Sequence, residues 1–271
     1  MIILRANKFA MLFLILSIIC SVTVGVLFKV SRRYSSSPIQ IVAWNYVFAL
    51  VLCYFFFSPN LNDIGTSAPW GIYVPIGVLL PTIFLFLAAS IKQVGIVKTD
   101  AAQRLSLFIP ILAAWLLFKE DFNMLKITAF LVGFPALLLI LAKPSQNTTN
   151  KWIYPAVVLL GFGVIDILFK QIALYTTLPY TTSLFVVFGI ALFIMIAAVV
   201  YDVIITKVPL NFKNIIFGGL VGVFNFGNIL FYLGWEAQNR YSIGMNGVLL
   251  FLAADALDGL CAEKAKTAGR S

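Results

Sequence analysis

The chain contains no histidine, which removes the commonest metal ligand and neutral-pH general base. Its chemistry must come from amides, hydroxyls and a few charges set inside long apolar runs. Asp166 and Lys170 are four positions apart and share one face of a helix. Such a pair reads either as a cavity-facing contact for solute or proton, or as a self-neutralising pair with Lys170 snorkelling to the interface. Asn225, Asn228 and Tyr232 follow at spacings of three and four, so they stack on one stripe. That stripe either lines a polar cavity or makes interhelical hydrogen bonds. Gln103 and Arg104 are read as opening an apolar run, where the guanidinium either clamps an anion bidentately or snorkels to headgroups. Gln40, Trp44 and Asn45 lie in another run, with Asn45 the better lining candidate. Ser17, Ser21 and Gly25 recur every four residues, the spacing of a helix-packing groove.

None of these sets is a nucleophile with its base. Glu120 and Asp121 are neighbours, point to different helix faces, and read with Lys119 as an interfacial turn. Cys20, Cys53 and Cys261 lack metal-ligand or redox spacing. We therefore expect no catalytic residue, no metal and no cofactor. The candidate substrate-binding set is Asn45, Arg104, Asp166, Lys170, Asn225, Asn228 and Tyr232.

The elements that must position these groups are transmembrane helices. Hydrophobic residues make up 62% of the chain and charged residues 11%, against about 45–50% and 25% in soluble domains. Apolar runs of roughly 20 residues match the hydrocarbon thickness of a bilayer at 1.5 Å per residue. They recur near 9–28, 39–57, 70–91, 101–118, 124–142, 153–174, 183–205 and 214–234, with a shorter one at 243–254. The first run is too long for a secretory signal core and lacks a small-residue cleavage site. The net charge of +9 is spread over the loops, which fits attraction to lipid headgroups rather than nucleic acid. An all-α polytopic membrane protein with about nine spans is expected, its partners being the lipid bilayer and a small-molecule substrate. Homodimerisation is left open.

The polar stretch Lys143–Lys151 divides the chain into similar halves. Asn7-Lys8-Phe9 is echoed by Asn150-Lys151-Trp152, Leu27-Phe28-Lys29 by Leu168-Phe169-Lys170, and Ile83–Leu87 by Ile229–Leu233, at offsets of 143, 141 and 146 residues. A first unit of five spans over 1–142, a linker over 143–151 and a second unit over 152–271 follow. An odd number of spans inserts the second unit upside down. Such inverted repeats place a substrate site near mid-membrane.

Residues Leu105–Leu141 carry an apolar span with Pro110, then Phe118-Lys119-Glu120, a short turn, and a further span with Gly133. This segment resembles the end of an EamA-type repeat of the drug/metabolite transporter superfamily, and the resemblance extends to about residue 233. It implies two inverted five-helix repeats, ten helices in all, and secondary transport of small organic metabolites. The bacterial inner membrane is the expected location. A membrane-embedded lipid-modifying enzyme and a non-transporting scaffold are the alternatives. The carboxyl end departs from the pattern. The second unit is shorter by about one helix, residues 243–254 are too few to span, and Asp255 and Asp258 interrupt them. From about Gly234 the chain reads as truncated, altered or a nine-span variant. Orientation stays open, because nine basic loop residues on the Lys29 side favour an outside amino terminus and the resemblance favours an inside one.

Overall fold

The computed structural model describes residues 2–34, 36–61, 64–65, 68–116, 124–142, 152–175 and 178–239. These residues form nine α-helices, and no strand occurs among them: α1 (Ile2–Ser31), α2 (Pro38–Phe57), α3 (Trp70–Gln93), α4 (Ile96–Ser106), α5 (Phe108–Leu116), α6 (Met124–Ala142), α7 (Ile153–Tyr175), α8 (Tyr180–Ile204) and α9 (Phe212–Asn239). Six of them, α1, α2, α3, α7, α8 and α9, are long and apolar enough to cross a membrane. The protein is thus an all-α polytopic membrane protein. Among the described residues, each expected span up to residue 234 falls mainly on helix, and residues 117–118 and the short run at 243–254 lie outside the described residues.

Among the described residues the candidate spans are fewer than the expected nine. The fourth expected span starts at Ile96 rather than 101 and is interrupted at Leu107, with α4 before the interruption and α5 described from Phe108 to Leu116 after it. Pro110 explains the break. It has no N–H for the carbonyl of Ser106, and its ring pushes that carbonyl aside. The chain tightens in response, the Leu107 N–H donating to the Arg104 carbonyl at 3.3 Å and Ser106 Oγ to that of Gln103 at 2.6 Å. Arg104 therefore does not open a span. It is the ninth residue of α4, about 12 Å along the helix from Ile96.

Packing runs mainly between helices distant in sequence. Helix α1 lies along α9, α2 along α8 and α9, α3 along α7 and α8, and α4 along α7 and α6. Exchanging α1 with α7, α2 with α8 and α3 with α9 maps the major contacts onto one another. The α1–α9 pair becomes α7–α3, α2–α9 becomes α8–α3, and α2–α8 maps onto itself. Side-chain contacts fix the directions. Ser37 at the start of α2 reaches Asp202 near the end of α8, while Cys53 near the end of α2 meets Thr181 at the start of α8, so these two helices are antiparallel. Gln40 meets Asn214 and Asn45 meets Asn225, so α2 and α9 are parallel. Tyr73 meets Ser183 and Gly77 packs on Ile190, so α3 and α8 are parallel. It follows that α3 and α9 run in opposite directions, as α2 and α8 do.

Close approach without a hydrophobic driving force requires small residues at the crossings. In α9, a Cβ on Gly218 would lie 2.7 Å from the carbonyl oxygen of Ile41, and one on Gly222 would lie 2.8 Å from that of Asn45. Both obstacles are backbone of α2 and cannot swing away. One end of the bundle gathers basic side chains: Lys29, Arg32, Arg33, Lys92, Lys207 and Lys213 are exposed there. Lys213 lies 5.7 Å over the Tyr34 ring and Lys98 5.6 Å over that of Trp152. Mixed aromatic and basic residues are the usual furniture of a headgroup layer.

Gly222→Ala should lower stability in detergent by roughly 1–3 kcal/mol through overpacking, whereas Gly71→Ala, where an added Cβ meets nothing within 4 Å, should be near neutral. Thermal unfolding of the two variants checks this, and equal losses would contradict the close α2–α9 approach.

Candidate functional site

Two adjoining cavities, about 430 and 290 Å³, lie between α1, α4 and α9. Ser21, Asp100, Gln103, Arg104 and Asn228 line both. The larger one is closed by apolar side chains of α3 (Phe84, Leu87, Ile91) and by Leu137 of α6. The smaller continues past Ser17, Ile111 and Tyr232. Ser17 and Ser21 lie within the apolar stretch Met11–Tyr34 of α1, so the hollow is walled in part by a helix long and apolar enough to cross a membrane.

Each wall follows from its helix. The four-residue repeat of Ser17, Ser21 and Gly25 turns one narrow polar stripe of α1 towards α9 and α4. Across the hollow, α9 presents Asn225, Asn228 and Tyr232. Ser17 Oγ donates to Asn228 Oδ1 at 2.6 Å, pinning the smaller cavity's rim. Asn225 Nδ2 donates to Asn45 Oδ1 at 3.3 Å. In α4, Arg104 Nε donates to Asp100 Oδ2 at 2.8 Å, an i,i+4 pair with the acid on the amino-terminal side, which is the favourable order. The pair supplies the only charges among the described lining residues.

The two side chains keep 37% and 41% of their surface open, and this decides what the pair is worth. An ion pair so exposed stabilises a fold by at most about 1 kcal/mol. It is a poor structural rivet, and its charges are available to something else.

The structure brings together four of the candidates, Arg104, Asn225, Asn228 and Tyr232, on one cavity wall system. Asn45 stands one layer behind, fully buried, holding Asn225; its own Nδ2 has no partner among the described residues. Asp166 and Lys170 lie elsewhere, buried in α7 and outside the lining of both cavities. Asp166 is within electrostatic reach of Tyr180 at the start of α8. Lys170 is fully buried, so its ammonium does not snorkel to headgroups. Glu120 and Asp121 fall outside the described residues. Sequence reasoning missed Asp100, because the fourth span was begun one residue after it. The signal was present in the i,i+4 spacing of Asp100 and Arg104. Ser17 and Ser21, read as a packing groove, also face the hollow. No group of three or more histidine, cysteine, aspartate or glutamate residues able to hold a metal occurs among the described residues.

The site is thus a polar hollow within a polytopic helical membrane protein. The chain belongs to the EamA-like transporter family, whose model matches residues 8–142. It is also similar to an uncharacterized protein of Haemophilus influenzae, 37% identical over 248 residues that cover 88% of this chain and 82% of that one.

Arg104→Gln should cost no more than about 1 kcal/mol of stability, as expected for a pair facing a wet space. Unfolding in detergent measures it, and a loss of several kcal/mol would mean that the pair holds α4 in place instead.

Proposed function

We propose that the protein is a secondary transporter of small organic solutes in the bacterial inner membrane, working by alternating access. In this reading 1–142 and 152–271 are two inverted halves, joined by the linker 143–151, and the solute binds in the hollow between α1, α4 and α9. The observation that carries the reading is a pair of buried hydrogen bonds at opposite ends of the bundle.

At the basic end, Asn214 Nδ2 in the first turn of α9 donates to Gln40 Oε1 in the first turn of α2 at 2.6 Å. Gln40 Nε2 also donates to the Pro209 carbonyl at 3.0 Å, and the Ser37 N–H donates to Asn214 Oδ1 at 3.2 Å. At the far end, Tyr73 in the first turn of α3 and Ser183 in the first turn of α8 share a 2.7 Å hydrogen bond. All four side chains are at most 2% exposed. The two bonds exchange under the same α2/α8 and α3/α9 swap that relates the helix contacts. Gln40 and Ser183 are 143 positions apart and Tyr73 and Asn214 are 141 apart, within the 141 to 146 range of the sequence echoes, the α3–α9 echo itself standing at 146.

Equivalent latches facing opposite sides suit alternating access: one end can part while the other holds. Their size is right for the task. Side-chain hydrogen bonds between membrane helices average about 0.6 kcal/mol and reach about 1.7. That is enough to shift a balance of two conformations by roughly 3- to 15-fold, and too little to lock either one.

The test needs no ligand. In a variant with Cys20, Cys53 and Cys261 replaced by alanine, Ser21→Cys should react with a membrane-impermeant thiol reagent added from either side of a vesicle. Adding Gln40→Leu should raise labelling from the basic end roughly 3- to 15-fold, and Tyr73→Phe should raise it from the opposite end. Labelling confined to one side in all three backgrounds would defeat the carrier reading.

A further inference from the structure

We propose that the α1–α9 junction at the basic end is a binding site for an anionic phospholipid, whose headgroup braces that end in its closed arrangement. The site is separate from the hollow. It is built on the tight helical turn Arg32–Tyr34 that follows α1. A turn of this 3₁₀ kind has three residues per revolution, so successive side chains leave it about 120° apart. Arg32 goes to α3, where its Nη1 donates to the Ile91 carbonyl at 3.3 Å. Tyr34 goes to α9, its ring 5.6 Å from that of Phe217 and beneath the Lys213 ammonium. Arg33 takes the remaining direction and is exposed.

Three cations, Arg32, Arg33 and Lys213, are thus gathered around one half-exposed tyrosine. None of them is ion-paired among the described residues. Asp202, the carboxylate at this end of α8, is buried and already accepts from Thr206 Oγ1 at 2.6 Å and from Ser37 Oγ at 3.4 Å. Lys213 also stands in the first turn of α9, where the helix's own partial positive charge disfavours a cation. Its contact with the ring is of the cation–π kind, which holds the ammonium without using its N–H donors. Unbalanced like charge and unspent donors call for an anion with several oxygens, and a phosphodiester is one. Neighbouring apolar surface then selects the amphiphile over free phosphate. Leu210 and Phe212, on either side of Asn211, are largely exposed and lead directly into Lys213. A headgroup held by Lys213, Arg33 and the Tyr34 hydroxyl lays its acyl chains against them.

The same residues adjoin the latch at this end. Lys213 precedes Asn214, and Tyr34 stands three residues before Ser37, whose N–H donates to Asn214 Oδ1 at 3.2 Å. Parting this end draws the first turn of α9 away from residues 32–37, and an anion bridging Lys213 and Arg33 opposes that movement. The bracing rests on the transport reading; the binding site does not.

Thermal unfolding of the purified full chain in a neutral detergent tests the site. The probes are dihexanoyl phosphatidylglycerol, dihexanoyl phosphatidylcholine and glycerol 3-phosphate, at matched ionic strength. Phosphatidylglycerol should protect at concentrations roughly 25-fold below those of the other two, two basic side chains contributing about 5-fold each. Lys213→Gln and Arg33→Gln should each weaken that protection roughly 5-fold. Lys98→Gln removes a cation that sits over Trp152 instead and should leave it unchanged. Equal protection by phosphatidylglycerol and either other probe overturns the proposal, as does an absence of protection or an equal loss in all three variants, the mark of diffuse surface charge. The wild-type ranking decides the matter even where a variant fails to fold.

The bracing is read at Ser21→Cys in the background without native cysteines. Labelling from the basic end should be roughly 5-fold lower in vesicles containing phosphatidylglycerol than in phosphatidylcholine alone, and Lys213→Gln should abolish the difference. One-sided labelling in every lipid counts against transport, whereas two-sided labelling that ignores the lipid counts against the brace.

Discussion

Hydrocarbon offers a polar group nothing to bond to, and most buried polar side chains described in this bundle are paired accordingly, with Ser36 Oγ, Asn45 Nδ2 and the Tyr46 hydroxyl as exceptions. Gln40 and Asn214 answer each other and the nearby backbone at one end, and Tyr73 and Ser183 do so at the other. Ser90 and Thr99 share a 2.8 Å bond where α3 hands over to α4. Arg32 reaches the carbonyl of Ile91, one of the acceptors that the end of α3 leaves without a helical donor. Once these local accounts close, the groups with edges left over, Asp100, Arg104 and the amides of α9, collect around the hollow. Polar surface that the fold does not use for itself is what a solute would meet.

The same solvent shapes the packing. Lipid tails are as apolar as leucine, so helices gain by fitting closely rather than by escaping water. Gly218 and Gly222 let α9 lie against the backbone of α2, Gly77 receives Ile190 of α8, and Gly161 receives Ile83 of α3. These crossings all join an early helix to a late one. The strongest associations run across the linker, and neighbours in sequence touch less. Any motion that opens one end must therefore slide the α1–α9, α2–α8 and α3–α7 seams. Seams held by glycine contacts and single hydrogen bonds move at lower cost than ones held by buried ion pairs.

Span positions were readable from the chain because a run of about 20 apolar residues has one common use. Even so, the fourth span was misplaced. Composition marks Lys98 and Asp100 as loop and Arg104 as the start of the span, yet α4 begins before all three, and Asp100 and Arg104 face the polar hollow beside α1 and α9. Pro110 was visible as a hinge, but its consequence, a break three residues earlier at Leu107, depends on how the freed Ser106 carbonyl is rehoused. Asp166 and Lys170 drew attention as charges at membrane depth. Both are buried within α7, but which face of α7 meets which neighbour was not available from spacing. Asn225, Asn228 and Tyr232 were found as a stripe with two readings, and features of both are present: the stripe lines the cavities, and Asn225 and Asn228 also bond Asn45 and Ser17 across helices.

The chain alone determined that this is a helical membrane protein, where most helices start and stop, and which residues share a helical face. Those properties rest on length, hydropathy and the 3.6-residue repeat, all of them local. Tertiary structure alone decided that the stripe of α9 faces Ser17 and Ser21 rather than lipid, that Asp100 and Arg104 stand at the wall, and that two distant hydrogen bonds sit at opposite ends. Each of those facts joins residues on separate helices, or turns on which neighbour a helix face meets. Spacing within one helix says nothing about the rotation of the next; only the packing of all of them together does.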